Sequence, residues 1–179
     1  MHHFALTIIG RDRPGIVSQV TEILFKTGCN IADSSCSILG GQFSMILIIS
    51  HPEYENRESF GEAFAPLEEG NLSVFLRTLM PGGEQRPELE GELCMISVYG
   101  ADKPGIVYQV TKELGSRQIN ITDLNTKLIG GESRPVYVMM IEAILPEGLE
   151  VEEIEAWMEA LKTELGVDIS VRSITAVEL

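Results

Sequence analysis

One short sequence occurs twice in this chain. GRDRPGIVSQVT at residues 10–21 returns as GADKPGIVYQVT at residues 100–111. With an offset of 90 residues, segments 10–41 and 100–131 are identical at 15 of 32 positions. A duplicated unit of roughly ninety residues explains this most simply, and such a repeat constrains the fold because each copy has to form the same structure.

The repeat sets the expected domain boundaries. A first domain covers residues 1–80 and a second covers residues 91–179. Between them lies PGGEQRPELE, residues 81–90, which is rich in proline, glycine and charged residues. That composition is typical of a linker, so we expect two tandem domains joined by a short connection.

Each unit begins with a strand and a helix. The segments HFALTIIG and ELCMISVYG have strand-like composition and end at a glycine. Apolar residues from Ile16 to Leu24 then recur at helical spacing, and the helix should end near Gly28. Pro14 and Pro104 suit the first helical turn, where a missing N–H costs nothing.

The rest of each unit completes a known arrangement. Two strands follow that meet at a Gly-Gly pair, then a second helix and a last strand. In the second unit that helix should run from Val151 to Leu165. The order β-α-β-β-α-β is the ferredoxin-like arrangement. The expected fold class is therefore α+β, with two antiparallel sheets of strand order 4-1-3-2 and helices on one face.

The third strand of each unit is apolar on both faces. Residues 45–49 and 136–141 do not alternate between apolar and polar side chains. A sheet with helices on one face and water on the other should alternate. We therefore expect a partner sheet or a second chain to cover the helix-free face, and we expect a homodimer.

Composition excludes several classes of function. No apolar run is long enough to cross a bilayer, and the N-terminus lacks the features of a signal peptide, so no membrane partner and a cytoplasmic location are expected. The formal net charge is −14, and acidic residues occur in both halves. Phosphate backbones would repel such a surface, which disfavours direct binding of nucleic acid.

No catalytic or metal-binding pattern is visible. The three cysteines form no CxxC pair, and Cys29 and Cys36 are expected to be buried, inert thiols. The histidines lack metal-ligand spacing, and no nucleophile comes with a partner set. We therefore expect no catalytic residues, no metal and no cofactor, and the chain is not expected to be an enzyme.

The repeated turn is the candidate ligand site. It precedes a helix, whose N-terminus offers unpaired N–H groups and a partial positive charge that can hold a carboxylate. Asp12 and Asp102 could accept hydrogen bonds from an ammonium group, and Asn30 and Asn120 can both donate and accept. Together these groups suit a free amino acid. The alternative is purely architectural, with the Asp and Asn side chains bonding to their own turns.

The motif D-[RK]-P-G-I-V-x-Q-V-T, followed by Asn-Ile, resembles the ACT domain in two copies that span nearly the whole chain. The tandem layout resembles, more narrowly, the glycine cleavage system transcriptional regulators. ACT domains bind amino acids or other small metabolites at domain interfaces and report the occupancy to another protein. The ligand-binding residues that the resemblance implies are Asp12, Arg13, Gly15, Ile16 and Asn30, with Asp102, Lys103, Gly105, Ile106 and Asn120 in the second copy.

The resemblance implies a non-enzymatic regulator. It would bind a small amino acid such as glycine and regulate transcription through a protein partner. One alternative is an allosteric regulatory subunit of an amino-acid biosynthetic enzyme, and another is a dimerisation module with empty sites. Tyr108 in the second loop corresponds to Ser18 in the first. Because the tyrosine side chain is larger and would narrow the second pocket, the first copy is the favoured site.

Overall fold

The computed structural model describes residues 1–80, 91–130 and 135–174. The chain divides into two compact units, Met1–Pro87 and Glu88–Leu179. The expected linker, residues 81–90, lies outside the described residues, and so does part of the second Gly-Gly turn. The two-domain boundary that the sequence predicts therefore remains a prediction.

Both units follow the expected order of elements. The first consists of β1 (His2–Arg11), α1 (Ile16–Lys26), β2 (Asn30–Leu39), β3 (Gln42–His51), α2 (Ala65–Glu69) and β4 (Leu72–Thr78). The second consists of β5 (Leu93–Gly100), α3 (Ile106–Ser116), β6 (Asn120–Ile129), β7 (Val136–Ile144), α4 (Val151–Leu165) and β8 (Val167–Ser173).

Each unit contains a four-stranded antiparallel sheet. The strand orders are β2-β3-β1-β4 and β6-β7-β5-β8. Both agree with the predicted order 4-1-3-2 and with two ferredoxin-like domains. The first strand of each unit lies centrally, whereas β2 and β6 are edge strands. Each of these edge strands carries a register shift at the same point, after Ile31 and after Ile121.

A separate hydrophobic core fills each unit on the helical side of its sheet. In the first unit, alternate residues of β1 meet the buried stripe of α1. Its members include Phe4, Leu6, Ile8, Ile16, Val20, Leu24 and Leu47. The second core includes Cys94, Ile96, Val98, Ile106, Val110, Leu114, Ile154 and Met158. Period-two burial on the strands and helical-period burial on the helices produce these two closed cores.

The second helix differs between the units. The helix α4 runs over Val151–Leu165, as predicted. Its counterpart α2 has 5 residues, and a 3₁₀ turn at Arg57–Phe60 precedes it. Gly61 ends the 3₁₀ turn, and Pro66 lies in the first turn of the short helix, because a glycine weakens a helix and a proline fits only at its start. Aromatic rings pack where the longer helix would lie. The ring of Phe60 packs edge-on against that of Phe4, with 5.3 Å between the ring centroids, and stacks with that of Phe64, with 5.4 Å between the centroids.

The first helix of each unit starts later than its proline. The sequence places Pro14 inside the first helical turn, but α1 begins at Ile16. The reason lies at Gly15, whose φ of 92° is left-handed and therefore not helical. Pro14 thus belongs to the turn before the helix. The predicted end near Gly28 is confirmed, since α1 ends at Lys26.

The helix-free face of the first sheet is partly apolar, as the third strand predicts. Ile46 is 53 % exposed, and its row across the sheet includes Phe75, which is 62 % exposed. Ile9 on the same face is 42 % exposed. Among the described residues, no helix is long and apolar enough to span a membrane.

Candidate functional site

The repeated turn is held in place by its own backbone. The Asp12 N–H donates to the Gly41 carbonyl at 2.9 Å, which joins the turn to the β2–β3 hairpin. Gly15 then directs the chain into α1, whose N-terminus has no side-chain cap. The first N–H groups of α1 are consequently available to a ligand at this point.

A cavity of about 780 Å³ opens beside this turn. It lies between α1 and the edge strand β2, on the helical side of the sheet. Residues from the turn, the helix and the two hairpin strands line it. They are Asp12, Arg13, Gly15, Ile16, Val17, Ser18, Thr21, Cys36, Ser37, Ile38 and Phe43. Four of the ligand residues that the family resemblance implies therefore line one cavity. They are Asp12, Arg13, Gly15 and Ile16.

The cavity pairs a free carboxylate with free backbone donors. The exposed Asp12 carboxylate has no hydrogen bond or ion pair to any residue that the structure describes. The hydroxyl of Ser18, in contrast, donates to the Gly15 carbonyl at 2.9 Å. Ile38 and Phe43 add apolar surface. The architectural alternative, in which Asp12 bonds to its own turn, is thus not what the structure contains.

The basic residue of the motif has an internal partner in both units. The Arg13 Nη2 donates to Gln19 Oε1 at 2.9 Å, and the Gln19 amide in turn approaches the Pro66 carbonyl in α2. The Lys103 ammonium donates to the Leu165 carbonyl at 3.0 Å, at the end of α4. Each side chain therefore connects the turn to the second helix of its own unit.

The asparagines lie far from the turn within their own units. Asn30 pairs with Ser50 at one end of the β2–β3 ladder, and Leu39 pairs with Gln42 at the other. The turn joins the Leu39 end through Gly41. A strand rises about 3.3 Å per residue, so roughly 30 Å of β2 separates Asn30 from the turn. Asn120 stands at the corresponding place on β6. A single unit does not bring turn and asparagine together.

The second turn has different surroundings. Gly105 has a φ of 98°, and α3 likewise lacks a side-chain cap. Tyr137 occupies the register position that Phe43 has in the first unit, opposite Leu128. Burial raises the pKa of Tyr137, the nearby Asp102 charge raises it further, and a hydrogen bond with Thr126 opposes them. A phenol thus stands near the second aspartate, where the first unit has a phenyl ring.

Several cavity residues were not predicted. Cys36, Ile38 and Phe43 come from the hairpin, and the sequence reasoning placed only Asn30 of that hairpin in the site. The expectation that Cys36 is buried is wrong, because it is exposed on an edge strand that α1 does not cover. Cys29 is half-buried rather than buried. The predicted strand order 4-1-3-2 makes β2 an edge strand. That position could have indicated that Cys36 is exposed and that β2 contributes residues to the cavity.

Metal ligation finds no support among the residues that the structure describes. They include no group of three or more His, Cys, Asp and Glu side chains placed to hold an ion. His51 is engaged by the fold, since its Nδ1 accepts hydrogen bonds from the N–H groups of Glu53 and Tyr54 at 3.1 and 2.9 Å.

Known proteins with related sequences include a transcriptional repressor. The chain is 27 % identical over 97 % of its length, and 90 % of the relative's, to the glycine cleavage system transcriptional repressor of Escherichia coli (strain K12). A crystal structure described provisionally as such a repressor superposes with a TM-score of 0.72, at 26 % identity and 98 % coverage of both chains. A protein of unknown role from Galdieria sulphuraria shares the fold with a TM-score of 0.81.

Matching enzymes share only a small part of their length with this chain. The bifunctional uridylyltransferase/uridylyl-removing enzyme of Nitrobacter winogradskyi is 28 % identical, but the match covers 16 % of that enzyme. The glycine cleavage system transcriptional repressors of Escherichia coli and Shigella flexneri, in contrast, match over 90 % of their own length. The sequence also matches the ACT domain twice, over residues 2–70 and 92–172. These two matches include most of the chain, which therefore belongs to the ACT domain family.

Proposed function

We propose that this protein is a non-enzymatic amino-acid sensor that regulates transcription through a protein partner. The observation that carries the proposal is the cavity of about 780 Å³ in which an uncapped helix N-terminus lies beside the free Asp12 carboxylate. Similarity along the whole chain to a glycine cleavage system transcriptional repressor supports the regulatory part.

The chemistry of the cavity fits a zwitterion. The N–H groups that open α1 would bind the ligand carboxylate, helped by the positive end of the helix dipole. The Asp12 carboxylate would accept hydrogen bonds from the ligand ammonium. The volume lies in the usual range for small-molecule sites, about 300–1,000 Å³, and accommodates glycine or a larger amino acid.

The asparagines require an additional strand. A ligand bound at the Asp12 turn lies near the last residues of β2, far from the asparagine that opens this strand. If a second edge strand pairs antiparallel with β2, the first residue of that strand lies beside the last residues of β2. The asparagine at the start of the second strand then reaches the ligand. The edge of β2 is exposed along its whole length and offers unpaired backbone groups for such pairing. We keep Asn30 and Asn120 as proposed ligand residues in that arrangement, which needs no change in either sheet.

The partner is proposed to be a DNA-binding protein rather than DNA. A net charge of −14 opposes binding to a phosphate backbone. A protein partner would receive the signal, and we propose that this takes place in the cytoplasm. In the alternative, the protein is an allosteric regulatory subunit of an amino-acid biosynthetic enzyme; that a related segment occurs inside a larger enzyme is compatible with it.

A ligand screen tests the sensor proposal. Thermal unfolding would be followed with each of the twenty common amino acids, and titration calorimetry would measure Kd for any that stabilises the protein. A ligand at one hundred times its Kd should add about 2.7 kcal/mol to the free energy of unfolding. No stabilisation by any amino acid would contradict amino-acid sensing and favour the dimerisation module.

Variants of the turn test the site. Asp12→Asn should raise the Kd at least about tenfold, because hydrogen bonds to charged groups contribute roughly 1.5–3 kcal/mol. Glu22→Gln is the matched control, since Glu22 is an exposed carboxylate on α1 that pairs with Lys26 outside the cavity. Equal affinity for wild type and Asp12→Asn would exclude this turn as the site.

Capture experiments identify the kind of partner. Extract from the source cells would be passed over the immobilised chain with and without the ligand found in the screen. Ligand-dependent retention of a DNA-binding protein supports transcriptional regulation. Retention of a biosynthetic enzyme instead would support the regulatory-subunit alternative.

A further inference from the structure

The helix-free face of the first sheet has a regular pattern of large and small side chains. Directly paired residues place their side chains on the same face, so the register defines rows across β2, β3, β1 and β4. Three such rows lie on this face. They are Ser37–Ser44–Ile9–Ser73, Ser35–Ile46–Thr7–Phe75 and Asp33–Ile48–Ala5–Arg77.

The rows are complementary to themselves. Consider two copies of this face packed against each other about a two-fold axis that runs parallel to the strands. Each row then lies over the same row of the other copy, but in the reverse order. The strand β3 then lies over β1 of the second copy, and β2 lies over β4. Ile46 would meet Thr7, and Ile48 would meet Ala5. In the next strand pair, Phe75 would meet Ser35.

The remaining positions follow the same rule. Ile9 would lie over Ser44, and Ser37 over Ser73. Large side chains of one sheet therefore face small ones of the other, which is how two sheets interdigitate when their strands run nearly parallel. Within these rows, Ile46, Phe75 and Ile9 are exposed apolar residues, at 53 %, 62 % and 42 %.

Charge follows the same symmetry. The third row ends in Asp33 on one edge strand and Arg77 on the other. The two-fold axis places Asp33 of each copy over Arg77 of the other, which gives two ion pairs at the rim of an apolar centre. The Asp33 carboxylate also accepts a hydrogen bond from the Ser34 N–H at 2.8 Å within its own chain.

The second sheet also has charged residues at the ends of its rows, such as Asp123 and Arg172, but one central position is charged. Its corresponding row contains Glu142 where the first unit has Ile48, opposite Met95. A second copy placed by the same two-fold axis would bury the Glu142 carboxylate against Met95, which is unfavourable. Tyr99 on the same face already directs its hydroxyl to the Met140 sulfur at 3.9 Å.

We propose that the helix-free face of the first sheet is the homodimer interface, with a second copy of this chain packed on it about a two-fold axis parallel to the strands. The interface lies on the opposite face of the sheet from the amino-acid cavity, which opens between α1 and β2, and of the row residues only Ser37 also lines the cavity. The dimer forms whether or not the proposed ligand binds.

Sedimentation velocity on the full chain over a range of concentrations tests the interface. Wild type should be a dimer, and Ile46→Asp or Phe75→Asp should raise the dimer Kd about tenfold or more, as expected for a residue at the centre of an interface. Phe25→Asp is the control, because Phe25 is 84 % exposed on α1 and belongs to the helical side. Circular dichroism would verify that each variant is folded.

A charge exchange tests the symmetry itself. Arg77→Asp and Asp33→Arg should each weaken the dimer, and the double variant should restore part of the lost affinity, since the two positions face each other only between copies. A monomeric wild type at every concentration would overturn the proposal. So would a dimer that Phe25→Asp dissociates while Ile46→Asp and Phe75→Asp do not, or a double variant no tighter than its single parents.

Discussion

At the scale of single residues, the repeated turn serves the fold as well as any ligand. A Cβ at Gly10 would lie 2.9 Å from the Asn71 carbonyl oxygen, and one at Gly100 would lie 2.7 Å from Val167 Cγ1. Both glycines allow the last strand of the unit to approach the end of the first. Gly15 and Gly105 instead supply the left-handed residue before each helix. Part of the duplicated motif is therefore architectural.

Replacing Gly100 by alanine should destabilise the second unit. The added methyl group would overlap Val167, and relieving that overlap should cost about 1–3 kcal/mol in the free energy of unfolding. Gly115→Ala is the matched control in the same unit, because its Cβ would meet nothing within 4 Å. That variant should leave stability unchanged or raise it by up to about 1 kcal/mol, since alanine favours helix. Chemical denaturation measures both, and an unaffected Gly100→Ala would contradict the close approach.

The three thiols should react at very different rates. Cys36 is exposed, Cys29 is half-buried with a pKa raised by burial, and burial raises the pKa of Cys94 to about 11. A raised pKa keeps a larger share of a thiol protonated at a given pH, and a protonated thiol reacts slowly. A disulfide reagent at pH 8 should label one cysteine rapidly in the folded protein. Cys36→Ser should remove this fast phase, whereas rapid labelling of Cys94 would contradict its burial.

At the scale of elements, the basic residue of the motif links the turn to the second helix. The Lys103 ammonium lies at the C-terminus of α4, where the helix dipole favours a positive charge. Arg13 reaches α2 through Gln19 although that helix has 5 residues and α4 has 15. The basic residue of the motif therefore connects the turn to the second helix in both units, although the two helices differ greatly in length.

Removing the Lys103 charge should weaken the second unit without affecting an amino acid bound in the first. Lys103→Met loses the hydrogen bond to the Leu165 carbonyl, and the free energy of unfolding should fall by about 0.5–1 kcal/mol. Lys112→Met is the control, because the Lys112 ammonium lies 5.7 Å from the Tyr108 ring instead of at a helix end. Loss of ligand affinity with unchanged stability would instead identify Lys103 as a ligand residue.

At the scale of the whole molecule, two units each have a hydrophobic core of their own. Leu47 belongs to the first core and Ile96 to the second, and both are fully buried. Each core is closed by the strands and helices of one unit. The duplicated sequence therefore yields two separately packed bodies, as expected for tandem domains.

Calorimetry should detect the two units separately. Leu47→Ala and Ile96→Ala each remove buried methyl groups and should cost about 2–5 kcal/mol. We expect each variant to shift a different part of the unfolding transition, because each cavity lies in a different core. Leu39→Ala, at a site that is 79 % exposed, is the control. A single two-state transition that both variants shift equally would show that the units unfold together.

The sequence alone determines much of this protein because its signals are local or repeated. Hydrophobic periodicity predicts α4 and the first strands, and the duplicated order of elements predicts the strand order of both sheets. The motif also places Asp12, Arg13, Gly15 and Ile16 together, since they are close in the chain. None of these inferences requires the register in which distant strands pair.

Only the tertiary structure decides how distant residues combine. The register places Asn30 at the far end of β2 from the Asp12 turn, which spacing along the chain could not reveal. It also brings Cys36, Ile38 and Phe43 into the cavity and leaves the Cys36 thiol exposed. The partner of Lys103 likewise comes from a helix 62 residues away, at Leu165, whereas Arg13 reaches α2 only through Gln19. The physical reason is that sheet pairing fixes which side chains share a face and which end of a strand they occupy.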